Sequence, residues 1–262
     1  MLLINGEEMH PDREVAKTPY IHYHYVAFGQ RSGVHDAFIS AGENWKLEID
    51  ELASEIAERG VDPRMDLLPY AEGVWKLRKA REFGGLTVFA HPYWDFENTI
   101  NLDIGAIEQT FFDGEVDAVE ALSRADESSY MANRLIDANP TIREMPVVGV
   151  SDSHNWGPGM VPEYCTLVMA ESLELEAFKD AIRRQRSVAC RLSDPPVFVG
   201  PFEVVDFAGF YLNTMLPLRR RIMSLQGHIA MSGLRNGTFM QEMIDELDRE
   251  LSNLDEKLWA KE

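Results

Sequence analysis

Two short apolar stretches, each followed at once by potential metal ligands, constrain what this chain can fold into. The first covers residues 86–90 and is followed by His91 and a proline. The second covers residues 147–150 and is followed by Asp152 and His154 in the sequence Ser-Asp-Ser-His. Short apolar runs bounded by turn signals are typical of buried strands. We therefore predict that two buried strands end in imidazole and carboxylate groups.

Strands and helices are predicted to alternate through much of the chain. Helical spacing is found at residues 46–59, 70–83, 103–110, 126–138 and 173–185, and further strands are predicted at 118–122, 164–169 and 187–192. This alternation predicts an α/β fold with mostly parallel strands. In such folds the active site gathers at the carboxyl ends of the strands, where the polar residues named above lie.

The N-terminal part adds further candidate ligands. A short strand at the start ends at Glu8, and an aromatic-rich strand at residues 20–29 contains His22 and His24. Side chains two apart share one face of a strand, so His22 is an alternative to His24 as the ligand. His10 would join the site if its loop folds over it. Imidazole and carboxylate groups without a thiolate suit zinc, manganese or iron.

Each candidate ligand also has a purely structural explanation. A single histidine after a strand is more often a hydrogen-bonded surface residue than a ligand, and an aspartate in Ser-Asp-Ser commonly caps a turn. Taken together, at successive strand ends, these residues favour a metal site over unrelated structural roles. His35 and His228 lie apart from the other candidates in the sequence and are predicted to be structural.

Net charge, hydropathy and cysteine content limit the binding partners and the cellular compartment that we expect for this chain. The chain has 25 Lys and Arg against 44 Asp and Glu, a net charge of −19, so extended nucleic acid is not expected as a partner. Neither a membrane-spanning run nor a signal peptide is recognisable, and we expect a cytoplasmic protein. Cys165 and Cys190 form no Cys-x-x-Cys pair, so they are predicted to be small buried hydrophobes.

Asp194-Pro195-Pro196 marks a predicted domain boundary. Residues 1–195 are expected to form the metal-binding domain, and residues 196–262 a C-terminal helical segment interrupted near Pro217. The last helix carries an apolar seam at helical spacing, formed by Met240, Ile244, Leu247, Leu251, Leu254 and Leu258. A helical hairpin is favoured for this seam, because about three heptads is short for an independent coiled coil. A homodimer contact through these helices is the alternative.

Four motifs, in order, resemble those of the PHP (polymerase and histidinol phosphatase) superfamily. They are Gly-x-Glu at 6–8, a histidine opening an apolar strand at 24–29, Ala-His-Pro at 90–92 and Ser-Asp-x-His at 151–154. The resemblance covers residues 6–154. It implies a distorted (βα)7 TIM-like barrel with a cluster of divalent ions (Zn, Mn or Fe). It also implies hydrolysis of the phosphate ester of a small phosphorylated substrate.

The chain departs from the family pattern before the first of these motifs. Family members carry a His-x-His strand and two further ligands ahead of the Gly-x-Glu, whereas this chain starts at the Gly-x-Glu strand. The resemblance therefore implies an N-terminally incomplete barrel with one to three ions. One metal position keeps Glu8, His24 and His91, a second keeps Glu8 and Asp152, and the third keeps only His154. Dimerisation or the C-terminal helices would have to cover the open strand edges.

Three functions are weighed. In a metal-dependent phosphoesterase, hydroxide held by the ions attacks phosphorus while Glu8 bridges the ions, and Asp152 and His154 are the catalytic candidates. His154 would orient the substrate or protonate the leaving oxygen. Arg124 is a candidate for phosphate contact, with an exposed loop charge as the alternative.

The second function is a catalytically weakened metal-binding or scaffold protein. The third is a metal-dependent amidohydrolase, against which the absence of a lysine at a strand end argues.

Overall fold

The computed structural model describes residues 3–11, 23–36, 42–61, 65–94, 104–154, 163–232 and 237–259. The chain divides into two compact units, Met1–Pro201 and Phe202–Glu262. The first unit extends beyond the proline pair at 195 and 196, because the strand Val197–Val199 pairs within it. The first unit is mixed α/β with two sheets, and the second is helical.

The predicted elements between residues 46 and 192 are all present, with ends shifted by at most three residues. The strands are β1 (Gly6–Met9), β2 (Tyr25–Phe28), β3 (Leu86–Phe89), β4 (Ala118–Leu122), β5 (Val147–Gly149), β6 (Tyr164–Val168), β7 (Ser187–Arg191) and β8 (Val197–Val199). The helices of the first unit are α1 (Trp45–Glu58), α2 (Leu67–Glu82), α3 (Ile104–Phe112), α4 (Asp126–Ala138) and α5 (Leu175–Arg183). No helix in the described parts of the chain has the length and apolar character needed to cross a membrane.

The first sheet has the order β1-β2-β3-β4-β5 and mixes two strand directions. β3, β4 and β5 are parallel, as predicted, but β2 runs antiparallel to both β1 and β3. The prediction of mostly parallel strands is therefore wrong for the N-terminal half of this sheet. Because β2 is reversed, its amino end lies at the same edge as the carboxyl ends of β1, β3, β4 and β5.

The second sheet, β6-β7-β8, is antiparallel throughout and packs beside β5. Side chains link the two sheets: the Thr166 hydroxyl donates to the Gly149 carbonyl at 2.9 Å, and the Ser187 hydroxyl donates to the Val147 carbonyl at 2.9 Å. No continuous ladder closes a barrel among the residues that the structure describes. The predicted α/β class is confirmed, whereas the predicted TIM-like barrel is not.

The core follows strand alternation. Phe89, Val119 and Val147 are buried on one face of the first sheet, and Val88 and Val148 are buried on the other. Ile49, Leu52 and Ile56 form the buried apolar stripe of α1, whereas Leu47 is 58% exposed. Helix α1 buries this stripe against α2, which covers the sheet.

The second unit is a set of helices that pack on one another. It contains α6 (Phe202–Phe210), a π-helical segment (Tyr211–Met215), α7 (Leu216–Ser232) and α8 (Gly237–Trp259). The π-helical segment lies directly before Pro217, where the helical hydrogen-bond ladder loses a donor. Ile244, Leu247 and Leu251 of the seam are buried in one cluster with Met215 and Ile222. The seam therefore packs inside this unit, and a dimer contact stays a prediction.

Candidate metal centre

The strand register brings three candidate ligands to one edge of the first sheet. Glu8 in β1 is opposite Val26 in β2, and His24 immediately precedes β2. The His24 carbonyl accepts a hydrogen bond at 3.0 Å from the N–H of Ala90, so the pairing of β2 with β3 continues up to His91. A histidine at the start of β2 thus meets a histidine at the end of β3, because the two strands are antiparallel.

The ligand atoms of Glu8, His24 and His91 form a small triangle. His24 Nδ1 lies 3.0 Å from Glu8 Oε1 and 3.2 Å from His91 Nε2, and His91 Nε2 lies 3.7 Å from the same Glu8 oxygen. In a tetrahedral zinc site with ligands about 2.0–2.1 Å from the ion, neighbouring ligand atoms are about 3.3 Å apart. The three separations scatter around this value, so the residues fit a single divalent cation with a fourth position left for water or substrate.

The cluster is enclosed on its protein side and open on one side. His24 and His91 are 9% and 6% exposed, whereas the Glu8 side chain is 35% exposed. The Trp94 ring lies 4.9 Å from the His91 ring, and the His10 ring lies 4.8 Å from the His24 ring. His10 therefore lies beside the cluster, as expected if its loop folds over the site. It is not one of the three ligands that form the triangle.

The two adjacent glutamates of β1 have different partners, as strand alternation requires. Glu7 Oε1 accepts hydrogen bonds from Gln30 Nε2 at 3.2 Å and from the backbone N–H of Val34. Glu8 instead contacts His24 and His91. Glu7 is thus a structural residue that fixes the chain after β2, and Glu8 is the candidate ligand.

The charges of the cluster are coupled. Hydrogen bonds from His24 and then from His91 hold the pKa of Glu8 well below its usual range. Burial lowers the pKa of His91, but the hydrogen bond to Glu8 and the charges of Glu120 and Asp152 outweigh it, so the pKa of His91 is raised. The Glu8 carboxylate and the His91 imidazole therefore each stabilise the charged form of the other.

Two residues at this edge have strained backbone. His91 has a φ of 24° and Asp152 a φ of 43°, values that residues other than glycine seldom adopt. His91 lies two residues after β3, and Asp152 lies three residues after β5, in the same sheet. Backbone strain of this kind costs free energy and concentrates at functional sites. It singles out the same two strand ends as the sequence motifs did.

Asp152 and His154 lie outside the ligand triangle. The His154 side chain is 78% exposed, and its Nδ1 lies 3.0 Å from the Asp152 carbonyl oxygen and 3.8 Å from Asp152 Oδ1. Arg124 is exposed in the turn between β4 and α4. His22 lies outside the described residues. The geometry therefore brings together Glu8, His24 and His91, while Asp152 and His154 contact each other beside them.

Sequence reasoning missed Glu120, which lies in the middle of β4. It is 1% exposed, and burial raises its pKa to about 7 against the opposing effects of the Ser123 hydroxyl and of His91. The available signal was a single acidic residue within the apolar strand Ala118–Leu122. A charged side chain is almost never fully buried unless it is paired or functional, so this residue could have been singled out.

The raised pKa of His91 predicts an opposite pH dependence for stability and for metal binding. A raised folded-state pKa adds stability that is full below the ordinary value of 6.5 and is lost as pH rises through the folded value. Without metal, the excess in free energy of unfolding of the wild type over His91→Gln should be largest below pH 6.5 and shrink as the pH rises above that value. Metal affinity should rise over the same range, because bound imidazole must be neutral. Urea unfolding with a chelator present tests the first part, and an excess that grows with pH contradicts it.

Comparison with known proteins adds no assignment to this geometry. No protein-family model, no curated protein and no solved structure matches the chain. What the group formed by Glu8, His24 and His91 can do is therefore a question for its own chemistry.

Proposed function

We propose that this chain is a metal-dependent phosphoesterase acting on a small phosphorylated substrate, with an incomplete PHP-type barrel as its architecture. The observation that carries the proposal is the triangle of Glu8, His24 and His91, whose separations of 3.0, 3.2 and 3.7 Å suit one divalent cation. Nitrogen and oxygen ligands with one open position are characteristic of catalytic rather than structural zinc sites.

Charge supports a phosphate ester as the substrate class. A bound divalent cation polarises a phosphoryl oxygen and lowers the pKa of water, which supplies the electrophile and the nucleophile. The chain carries a net charge of −19, and a bound cation can supply the local positive charge that a phosphate needs. Arg124 is exposed beyond β4 and is our candidate for a second phosphate contact.

His154 is proposed to handle the leaving group. Its ring is 78% exposed, and Asp152 lies beside it, with Oδ1 3.8 Å from Nδ1. The Asp152 carbonyl lies 3.0 Å from Nδ1, which orients the ring and leaves Nε2 as the nitrogen that would pass a proton to a leaving oxygen. Asp152 and His154 therefore remain the catalytic candidates, next to the three ligands and not among them.

The proposed barrel draws support from the junction of the two sheets. Among the described residues, β5 pairs with no sixth strand of its own sheet, yet its backbone lies against β6 and β7 through Gly149 and Thr166. A curved arrangement of strands beside β5 would result if the second sheet continued the course of the first. This is how an incomplete barrel could keep its strand ends at one edge.

Hydrolysis assays test the proposal directly. Protein loaded with Mn²⁺ or Zn²⁺ should hydrolyse a generic aryl phosphate, and chelation should abolish the activity. We expect Asp152→Ala to lower kcat/KM by at least about 100-fold, a loss of about 2.7 kcal/mol of transition-state stabilisation. His228→Ala, in the second unit, is the matched control and should change nothing. Metal-loaded protein that is inert on a broad phosphoester panel contradicts the proposal.

A metal-binding scaffold protein is the second candidate function. It is favoured by one observation: only three residues converge tightly among those described, and the His154 side chain is exposed. Metal analysis together with the hydrolysis assay separates the two functions. Bound metal without hydrolysis of any phosphoester favours the scaffold, whereas hydrolysis that depends on the bound metal favours the phosphoesterase.

A further inference from the structure

The edge of the first sheet opposite the candidate metal centre carries a group of cationic side chains. Gly29 directly follows β2 and Gly85 directly precedes β3, whereas His24 and His91 lie at the other ends of the same two strands. Gly85 and His91 are six positions apart along an extended segment, a distance of about 20 Å. The two edges are therefore separate sites.

A cavity of about 490 Å³, which we call the basic cavity, lies at this opposite edge. Its volume is in the range that small-molecule sites occupy. Its charged lining residues are Arg31, Arg81, Lys179, Arg183 and Glu176. The lining thus has four cations against one carboxylate, in a chain whose net charge is −19.

Three of these cations are held side by side on the segment that connects α2 to β3. The carbonyl oxygens of residues 82–85 each accept one hydrogen bond; the donors, in order, are Arg31 Nη2 at 3.1 Å, Arg31 Nε at 3.4 Å, Lys179 Nζ at 2.6 Å and Arg183 Nη2 at 3.3 Å. Four successive Cα atoms span at most about 11 Å, so the three cationic groups are close together.

These hydrogen bonds have a structural role, but they use only one edge of each guanidinium. The last carbonyl groups of a helix lack intrahelical donors, and cations stabilise its C-terminus. Arg31 uses Nε and Nη2, and Arg183 likewise uses Nη2 and donates from Nε to Asp117 Oδ1 at 3.1 Å. Among the described residues, Nη1 of neither arginine makes a hydrogen bond. The protein therefore fixes both guanidinium groups and leaves N–H donors for a ligand.

Positive charge exceeds negative charge around the basic cavity even when neighbouring ion pairs are counted. The charges that line the cavity or are connected to it by ion pairs are five cations and three carboxylates: Arg31, Arg78, Arg81, Lys179, Arg183, Glu115, Asp117 and Glu176. The difference is two positive charges. In the part of the chain that the structure describes, Arg31 bonds to backbone carbonyls alone. An excess of positive charge in a concave site attracts anions.

Lys179 offers a buried ammonium group with a replaceable partner. It is 2% exposed, so its charge requires a negative group nearby. That group is the Glu176 carboxylate, 2.5 Å away, whose side chain is 79% exposed. A glutamate this exposed can turn into solvent at little cost, because solvent weakens its ion pair. A bound anion can then take its place beside the ammonium.

We propose that the basic cavity binds the phosphate group of a small molecule. The unused N–H groups of Arg31 and Arg183 and the ammonium of Lys179 supply donors and charge for phosphate oxygens. The excess of two positive charges matches a phosphate dianion better than a carboxylate monoanion. This site is separate from the ligand triangle and needs no metal ion, so it goes beyond the proposed hydrolysis.

Calorimetric titration of the metal-free, full-length chain at fixed ionic strength tests the proposal. The probes are inorganic phosphate, phenyl phosphate and benzoate. At least one phosphate probe should bind at one site per chain with a Kd below about 1 mM, and benzoate at least about tenfold more weakly. Tighter binding of phenyl phosphate identifies an ester as the ligand, and tighter binding of inorganic phosphate identifies the free ion. No saturable binding of either phosphate probe, or equal binding of benzoate, overturns the proposal.

Five variants locate the site, with melting temperature as the check on folding. Arg31→Gln and Arg183→Gln should each weaken binding of the tighter phosphate probe by at least about tenfold. Glu176→Gln should tighten it by about threefold, because a competing negative charge is removed. Arg59→Gln, an exposed arginine at the end of α1, and His91→Ala, in the ligand triangle, are the controls and should leave it unchanged. Unchanged affinity in both cavity arginine variants, or weaker binding by Glu176→Gln, overturns the proposal.

Hydrogen exchange of the wild type decides the matter if the arginine variants do not fold. The tighter phosphate probe should slow exchange of backbone N–H groups in residues 29–31 and 82–85. Protection confined to residues 90–94, beside the ligand triangle, overturns the proposal.

Discussion

Replacing His91 with alanine should weaken metal binding by the triangle at least about 100-fold and abolish the proposed phosphoesterase activity. His91 Nε2 is one corner of the ligand triangle, 3.2 Å from His24 Nδ1 and 3.7 Å from Glu8 Oε1. Two ligands cannot hold a zinc ion as three do, and the remaining pair loses its enclosed geometry. The affinity is measured by Zn²⁺ competition with a chelator, and the activity with an aryl phosphate.

His35→Ala is the matched control for this prediction. His35 is exposed and lies outside the triangle, so its removal should leave both metal affinity and melting temperature unchanged. Metal-free His91→Ala should remain folded, although less stable at acidic pH, because it loses the interaction with Glu8 that raises the pKa of His91. If His91→Ala binds Zn²⁺ as tightly as the wild type, the triangle is not the metal site.

The sequence allowed the ligands to be predicted because each lies at a strand end with a recognisable neighbour. His91 stands between a buried strand and a proline, and Glu8 lies near the end of β1, two residues after a glycine. Strand ends can be read from composition, since apolar runs and turn residues are local features. The choice of His24 over His22 also rested on a local motif, and the geometry places His24 in the cluster.

Strand direction could not be predicted in the same way. The helices between β2 and β3 favoured a parallel connection, but β2 pairs antiparallel with β3 from Tyr25 to Phe28. Direction depends on which strands meet across the sheet, and this is a non-local property of the chain. The error did not displace the site, because reversing β2 exchanges its two ends and His24 lies at the start of that strand.

Glu120 and the junction of the two sheets escaped prediction for a related reason. An acidic residue in a five-residue strand can face solvent or the core, and only the packed sheet decides which. Gly149 likewise reads as one more small residue in an apolar run. Its importance follows from the backbone of β6 and β7, which are close to it in space and distant in sequence.

Gly149→Ala should strongly destabilise the protein, although it adds only one methyl group. A Cβ at this position would lie 2.4 Å from the Cys165 carbonyl oxygen, 3.0 Å from the Cys190 nitrogen and 3.2 Å from the Ala189 Cα. All three are backbone atoms of β6 and β7, which cannot turn aside as a side chain can. We expect a loss of about 3 kcal/mol or more in the free energy of unfolding, measured by urea denaturation.

Gly209→Ala is also a glycine-to-alanine substitution, but we expect it to stabilise the protein. Gly209 lies in α6 with no atom within 4 Å of an added Cβ, so alanine should stabilise its helix by up to about 1 kcal/mol.

Gly149→Ala and Gly209→Ala should also differ in their effect on the candidate metal centre. Asp152 lies three residues after β5, so a β5 displaced from β6 and β7 should disturb Asp152 before it disturbs metal binding by the triangle, whose residues lie in or next to β1, β2 and β3. Equal stability of Gly149→Ala and the wild type would show that the two sheets are not packed through this residue, and the barrel-like course proposed for β5 would lose its support.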